Sequence, residues 1–234
     1  MRRICLVVLA FQVTAAAFGK EYGHYDTAKI VTVARAANGQ YSATINFALL
    51  DQMLGDLSLH NNTYPSQFDS QEDRERATKD VLVVSRTVEA LLNLPMENRQ
   101  LLLRAAVLDS IGHNLDVPEA GNKALAAFTR VLSQAPEDAR ANYLYGKFLV
   151  SSGKPGEAIP VLEKAKRLGA TDADYTLGLA YSSIGLRDKA LENLHRYARR
   201  APKDPNVAKL IDAIREGNIE FKQGIPRGSG GPAR

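Results

Sequence analysis

The sequence predicts an all-α fold, a solenoid of helical hairpins stacked side by side and closed by a capping helix. Three observations predict it. Residues of like kind recur at a spacing of 32 through the C-terminal half. Within each repeat the apolar residues follow the helical period instead of alternating. The 234 residues, 45% hydrophobic and 24% charged, also supply a real core without the breaker-rich composition of a fibrous or disordered chain.

The recurrence is carried by the pairs Tyr145/Leu177, Gly146/Gly178, Leu149/Tyr181, Gly153/Gly185, Ala158/Ala190, Leu162/Leu194 and Ala170/Pro202. Tyr145, Gly146 and Leu149 share one helical face, as do Leu177, Gly178 and Tyr181. A second helix in each unit aligns Ala158, Leu162 and Ala165, or Ala190, Leu194 and Tyr197. Between the helices, Gly153 and Gly185 suit the positive φ that ends a helix, and Pro155 pre-sets the start of the next. Gly146 and Gly178 lie mid-helix, where glycine costs about 1 kcal/mol relative to alanine. Their compensation is expected from close approach of the paired helix, with Ala158 and Ala190 and neighbouring aromatics packing at the gap.

These residues resemble the tetratricopeptide repeat family, whose hairpins of about 34 residues carry Leu-Gly and Tyr on the first helix and Ala, Phe, Ala and Pro after it. Leu177-Gly178, Tyr181, Ala190, Leu194 and Pro202 keep that order, and Tyr145-Gly146, Leu149, Ala158, Leu162 and Ala165 follow it closely. The family's leading Trp is missing, with Asn142 and Asp174 in its place, and each Phe is Leu. The resemblance implies a right-handed α-solenoid whose first helices line a concave groove for a protein or peptide. Carried over, the partner-facing residues are Arg99, Leu102 and Asp109 in a first unit, Arg140, Tyr143 and Lys147 in a second, and Asp172, Tyr175 and Leu179 in a third. The Lys and Asn clamp by which some members grip a terminal carboxylate is not matched by Tyr143 and Lys147.

The first unit is aligned backwards from Pro136, with Ala124, Phe128 and Val131 on its second helix and Leu101, Ala105 and Leu108 on its first. Gly112 then matches Gly153 and Gly185, leaving an insertion over residues 113–120, which costs little in loop closure. Beyond the last repeat, Val207, Leu210, Ile211 and Ile214 mark a capping helix over residues 205–216, as a solenoid end requires. The tail 217–234, with Gly-Ser-Gly-Gly-Pro, has the composition of a disordered segment.

Upstream, Ala77, Val81, Val84, Val88 and Leu91 predict a helix over 71–92 with Ser70 as its cap, within a segment spanning 67–97. Leu49, Leu50, Met53, Leu54 and Leu57 predict another over 46–60, and the two are expected to pair as a hairpin. Around Asn38-Gly39, the β-prone runs 30–33 and 41–45 predict a β-hairpin with a two-residue turn, inside an N-terminal segment 20–66.

Residues 1–19 have the order of a secretory signal peptide: Arg2 and Arg3, an uncharged run from Ile4 to Phe18, and small residues at Ala15, Ala16, Ala17 and Gly19. Cleavage after Ala17 or after Gly19 would give a periplasmic or secreted chain, and an uncleaved segment would tether it to a membrane. Cleavage removes Cys5, the one cysteine, so disulfides are excluded and stability must come from the core. It also takes Arg2 and Arg3 from the 30 basic residues, leaving a net charge of +2, too balanced for a nucleic-acid surface.

No pattern announces an enzyme. His24, His60, His113 and His195 are scattered without ligand spacing, so neither a metal nor another cofactor is expected. The only dense glycine run, 228–231, adjoins no strand or helix that could present it to a phosphate. A hydrolase built on 20–66 would have to use His24 or His60, but Tyr22, His24, Tyr25 and Asp26 lie at a mature terminus expected to be mobile. Asn61-Asn62-Thr63 matches a glycosylation acceptor and is read as loop chemistry. The basic run His195, Arg196, Arg199, Arg200 and Lys203 is read as a solvated helix end, where cations are favoured, or else as a patch for an anionic partner. The expectation is an exported, non-enzymatic scaffold that binds a protein or peptide on its concave surface.

Overall fold

The computed structural model describes residues 21–217 apart from 36, 38, 40, 62–65 and 94–97. The leader read over 1–19 and the tail beyond 217 lie outside the described residues. A short 3-10 turn, Thr27–Lys29, opens a two-stranded antiparallel hairpin of β1 (Val31–Arg35) and β2 (Tyr41–Ile45). Helices follow: α1 (Phe47–His60), α2 (Gln71–Leu92), α3 (Arg99–Asn114), α4 (Ala120–Gln134), α5 (Ala139–Ser151), α6 (Pro155–Arg167), α7 (Ala173–Ser183), α8 (Arg187–Arg200) and α9 (Pro205–Glu216).

Helix ends obey the local chemistry. Asn46, Ser70, Asn98 and Asp138 each accept, through the side chain, a first-turn backbone N–H of α1, α2, α3 and α5. Gly153 and Gly185 hold φ of +73° and +78° at the hairpin turns. Arg35 lies opposite Tyr41, a register with an odd number of residues between the paired positions, which a two-residue turn at Asn38-Gly39 cannot give.

From α3 onward the helices stack as hairpins, α3 with α4, α5 with α6, and α7 with α8, and α9 covers α8. Leu149, Ala158, Leu162, Ala165, Leu177, Tyr181, Ala190 and Leu194 share one buried cluster, which Val207, Ile211 and Ile214 of α9 close. Gly146 and Gly178 are where the paired helices come closest. The facing side chains are Leu162 and Leu194, not Ala158 and Ala190: an added Cβ would lie 2.5 Å from Leu162 Cγ or Leu194 Cγ. A leucine fills the gap that a missing side chain leaves.

The first unit departs from its expected register. Ala106 clusters with Ala124 and Phe128, the counterparts of Ala158 and Leu162, so Ala106 takes the place of Gly146 and Gly178. Leu101, Ala105 and Leu108, the expected intra-hairpin face, pack instead toward α1 and α2. α3 is therefore buried on two sides. Gly112 is not a turn residue. It lies inside α3, where an added Cβ would meet Ala120 Cβ at 3.1 Å and Val81 at 3.3 Å. The insertion is absorbed as extra helix plus a turn in which Asp116 and Glu119 adopt φ of 64° and 61°.

α1 and α2 do not form the expected hairpin. Both lean on α3 and barely meet each other, while residues 21–30 bridge them. Tyr22 is fully buried, and its hydroxyl donates to Asp80 of α2 at 3.1 Å. Gly23 N–H and Tyr25 hydroxyl both donate to Asp56 of α1 at 2.8 Å. Arg76 of α2 donates to the Tyr22 carbonyl at 2.5 Å and also pairs with Asp73. The segment 21–30, expected to be mobile, is a structural strap with Tyr22 and Ile30 in the N-terminal core.

Candidate concave binding surface

The first helices of the repeats, α3, α5 and α7, neighbour one another along one side of the stack. On α5, Tyr143 is half-buried, and its hydroxyl lies toward Thr176 of α7. Burial raises the Tyr143 pKa above its ordinary value, and the neighbouring Thr176 hydroxyl opposes that rise. Lys147, one helical turn on, is half-buried, and its desolvation pushes its pKa below the usual lysine value. On α7, Tyr175 packs at a tilt against Tyr197 of α8 with ring centroids 5.1 Å apart, and Tyr197 donates to Asp204 at 3.2 Å. Leu179 is half-buried one turn beyond Tyr175. This makes a strip of large, partly covered side chains held in place by neighbours on their own and the next helix.

The remaining expected site residues fall elsewhere. Arg140 and Asp172 are exposed at the starts of α5 and α7, and Arg99 lies exposed at the first position of α3. Leu102 is buried with Val131 and Ala141. Asp109 is buried and accepts a 2.5 Å hydrogen bond from Ser85 of α2; burial raises its pKa and the Ser85 bond counters that. Neither can meet a partner without unpacking. With Ala106 matched to Gly146, the counterparts of Tyr143 and Lys147 are Leu103 and Val107, both half-buried. The pair Ala105-Ala106 carries the signal, but the glycine at 112 draws the sequence alignment one residue out of step.

On α7 the position of the missing Trp holds a buried ionic hub. Asp174, almost fully buried, accepts from Arg200 at 2.7 Å, Lys166 at 3.1 Å and Arg196 at 3.2 Å. Burial alone would raise its pKa, but hydrogen bonds from these three cations outweigh that and hold it below the ordinary carboxylate value. Two members of the basic run are thus committed to tying α6, α7 and α8 together. His195 faces Arg215 of α9 at 3.1 Å. Asn142, the equivalent residue on α5, donates to the carbonyls of Pro136 and Asp138.

Of the two histidines of the N-terminal segment, His24 lies exposed beside Glu21, while His60 is buried, stacked on Phe68 at 4.9 Å and 3.9 Å from Asp56. Among the described residues no three His, Cys, Asp or Glu side chains converge as a metal site. Nor is any helix among them long and apolar enough to cross a membrane. Asn61 is no free acceptor for a glycan: it is buried, donates to the Ile111 carbonyl at 3.2 Å and accepts from Ser66.

Comparison with known proteins agrees with this geometry. The tetratricopeptide repeat pattern matches residues 119–176, from the start of α4 into α7. Among solved structures, the crystal structure of MamA is similar at 24% identity and a TM-score of 0.52, covering 64% of this chain and 86% of that one. TTC0263, a thermophilic tetratricopeptide repeat protein of Thermus thermophilus, is similar at 15% identity and a TM-score of 0.50, covering 73% and 92%. No curated protein matches the sequence. The fold is an α-solenoid of tetratricopeptide-type hairpins.

Proposed function

We propose that this chain is an exported, non-enzymatic scaffold that holds a segment of another protein along the strip formed by Leu103, Val107, Tyr143, Lys147, Tyr175 and Leu179. The observation that carries the reading is the half-buried state of Tyr143 and Tyr175. Each ring is held by packing, Tyr143 against the core cluster of α5–α8 and Tyr175 against Tyr197, so little side-chain entropy is left to lose on binding. Tyrosines of this kind combine contact area with a polar tip and are enriched where interfaces concentrate their energy. Export rests on the order of residues 1–19, and the setting is the periplasm or the medium.

The test places a photo-crosslinking amino acid at Leu179 and illuminates an envelope extract. A discrete adduct that disappears with Tyr143→Ala and Tyr175→Ala together, and persists with Arg130→Ala on α4, supports the reading. An adduct that ignores the tyrosine substitutions refutes it.

A further inference from the structure

The later hairpins close on themselves, but α1 and α2 stand apart and each leans on α3. Both are anchored there without help from the strap. Arg104 of α3 clamps Asp51 of α1 through two nitrogens, at 2.6 and 2.7 Å, and lies 4.5 Å from the centre of the Phe47 ring. Asn61, at the C-terminal cap of α1, donates to the Ile111 carbonyl of α3 at 3.2 Å. Val81, Val84 and Val88 bury the inner face of α2 in the same core as Leu101 and Leu108 of α3. The walls of a cleft are thus set by α3, and residues 21–26, which form neither helix nor strand, fill it.

The strap is held as a bound peptide is held. Its backbone is gripped at two points: Arg76 donates to the Tyr22 carbonyl at 2.5 Å, and the Gly23 N–H donates to Asp56 at 2.8 Å. Main-chain bonds of this kind supply affinity, and pockets for side chains supply the choice of sequence. Tyr22 has such a pocket. Its ring is fully buried and edge-on to His60 and Phe68, with centroids 6.2 and 6.4 Å away, and the Arg76 guanidinium lies 5.7 Å from its centre. At the far end its hydroxyl donates to Asp80 at 3.1 Å; burial, and then Asp80, raise its pKa well above the tyrosine value, so it stays a donor. Three residues on, the Tyr25 hydroxyl donates to Asp56 at 2.8 Å, on the same oxygen that takes the Gly23 N–H. A Cβ at position 23 would lie 3.0 Å from that oxygen and from Tyr25 Oη, which favours glycine there. His24, between them, is exposed. The cleft therefore fits the pattern Tyr-Gly-x-Tyr.

We propose that the cleft between α1 and α2 is a second peptide-recognition site, separate from the concave strip, which residues 21–26 occupy in cis and which a Tyr-Gly-x-Tyr segment of another protein takes in their place. The chemistry of that segment is the chemistry of the one now seated there. A phosphate on its first tyrosine would face Asp80 and be repelled, so the pocket takes the free phenol. A second copy of the chain is not the occupant. Its own strap already sits in its own cleft at the high effective concentration of a short tether, and exchange between copies gains no contact. A partner must outbind that tethered segment, so the docked strap acts as an inhibitor of the site.

The measurement is fluorescence anisotropy of a labelled peptide of residues 21–29, added to the chain from Lys20 to Arg234 as wild type and as Tyr22→Ala, which vacates the pocket. The expected result is binding to Tyr22→Ala at least about tenfold tighter than to the wild type, where the tethered strap competes. Adding Asp80→Ala to that variant, or replacing the first tyrosine of the peptide by alanine, should weaken binding at least about tenfold. Circular dichroism confirms that the helices of each variant are kept. Hydrogen exchange on the wild type checks the proposal without any variant: the Gly23 amide should exchange at least about tenfold faster than the amides of α3, because the strap opens while the walls stand. Absence of binding to folded Tyr22→Ala, binding indifferent to the peptide's tyrosine and to Asp80, or a Gly23 amide that exchanges only together with α3 overturns the inference. So does a wild-type dimer that the peptide disperses, since a second copy would then be the occupant.

Discussion

Gly178→Ala tests the packing at the closest helix contact. The new Cβ would lie 2.5 Å from Leu194 Cγ and 2.7 Å from its Cδ2, where ordinary carbon contacts are about 3.5–4.0 Å. Either Leu194 or the whole of α8 must retreat by about 1 Å, and overpacking of this kind costs about 1–3 kcal/mol. Alanine recovers about 1 kcal/mol of helix propensity, leaving a net loss of up to about 2 kcal/mol. For a chain of this size that lowers the melting temperature by up to about 8 °C, read by circular dichroism. The decisive arm is the double variant. Leu194→Ala alone costs about 2–5 kcal/mol, but in its background Gly178→Ala becomes stabilising by about 1 kcal/mol, since propensity now acts unopposed. If Gly178→Ala costs the same with and without Leu194, the close-approach argument is refuted.

Two other perturbations follow from the same contacts. Asp174→Leu should destabilise the α6–α8 region by about 3–5 kcal/mol, because three cations lose a buried carboxylate; urea denaturation measures it. The Asp174 pKa is lower folded than unfolded, so its contribution is fully present above the unfolded value of about 3.9 and is lost as pH falls below it; the wild type should therefore lose more stability there than Asp174→Asn. Tyr22→Ala should cost about 3–5 kcal/mol by emptying a fully buried site, and Tyr22→Phe only about 0.5–1.5 kcal/mol for the bond to Asp80, both read by thermal melting.

The solenoid is legible in the sequence because its determinants are local and repeated. Glycines at 153 and 185 end helices by backbone conformation, and the alanine and leucine positions of α6 and α8 follow the helical period, so neither needs tertiary knowledge. The helices over 47–60 and 71–92 are equally visible from their caps and apolar stripes. What escapes depends on long-range partners. Sequence order does not say that α3 is covered on both sides, so Leu102 and Asp109 pass for groove residues when the positions matching Tyr143 and Lys147 are Leu103 and Val107. The strap at Tyr22 is held by Asp56 and Asp80, more than 30 positions away, and no local pattern records such a bond. Asp174 stands out in the sequence as the substitute for Trp, but its role lies in cations that come from two other helices. Tyr143, Lys147, Tyr175 and Leu179 fall on one strip of α5 and α7 because those units keep the repeat spacing.

The most direct check of the stacked-hairpin account is hydrogen exchange on a chain ending at Asp204, which lacks α9. If each element shields the apolar face of the one before it, removing Val207, Ile211 and Ile214 uncovers α8. Amides of α7 and α8 should then exchange at least about tenfold faster, while those of α3 and α4 stay as protected as before. Unaltered exchange in α7 and α8, or an equal rise along the whole chain, would contradict it.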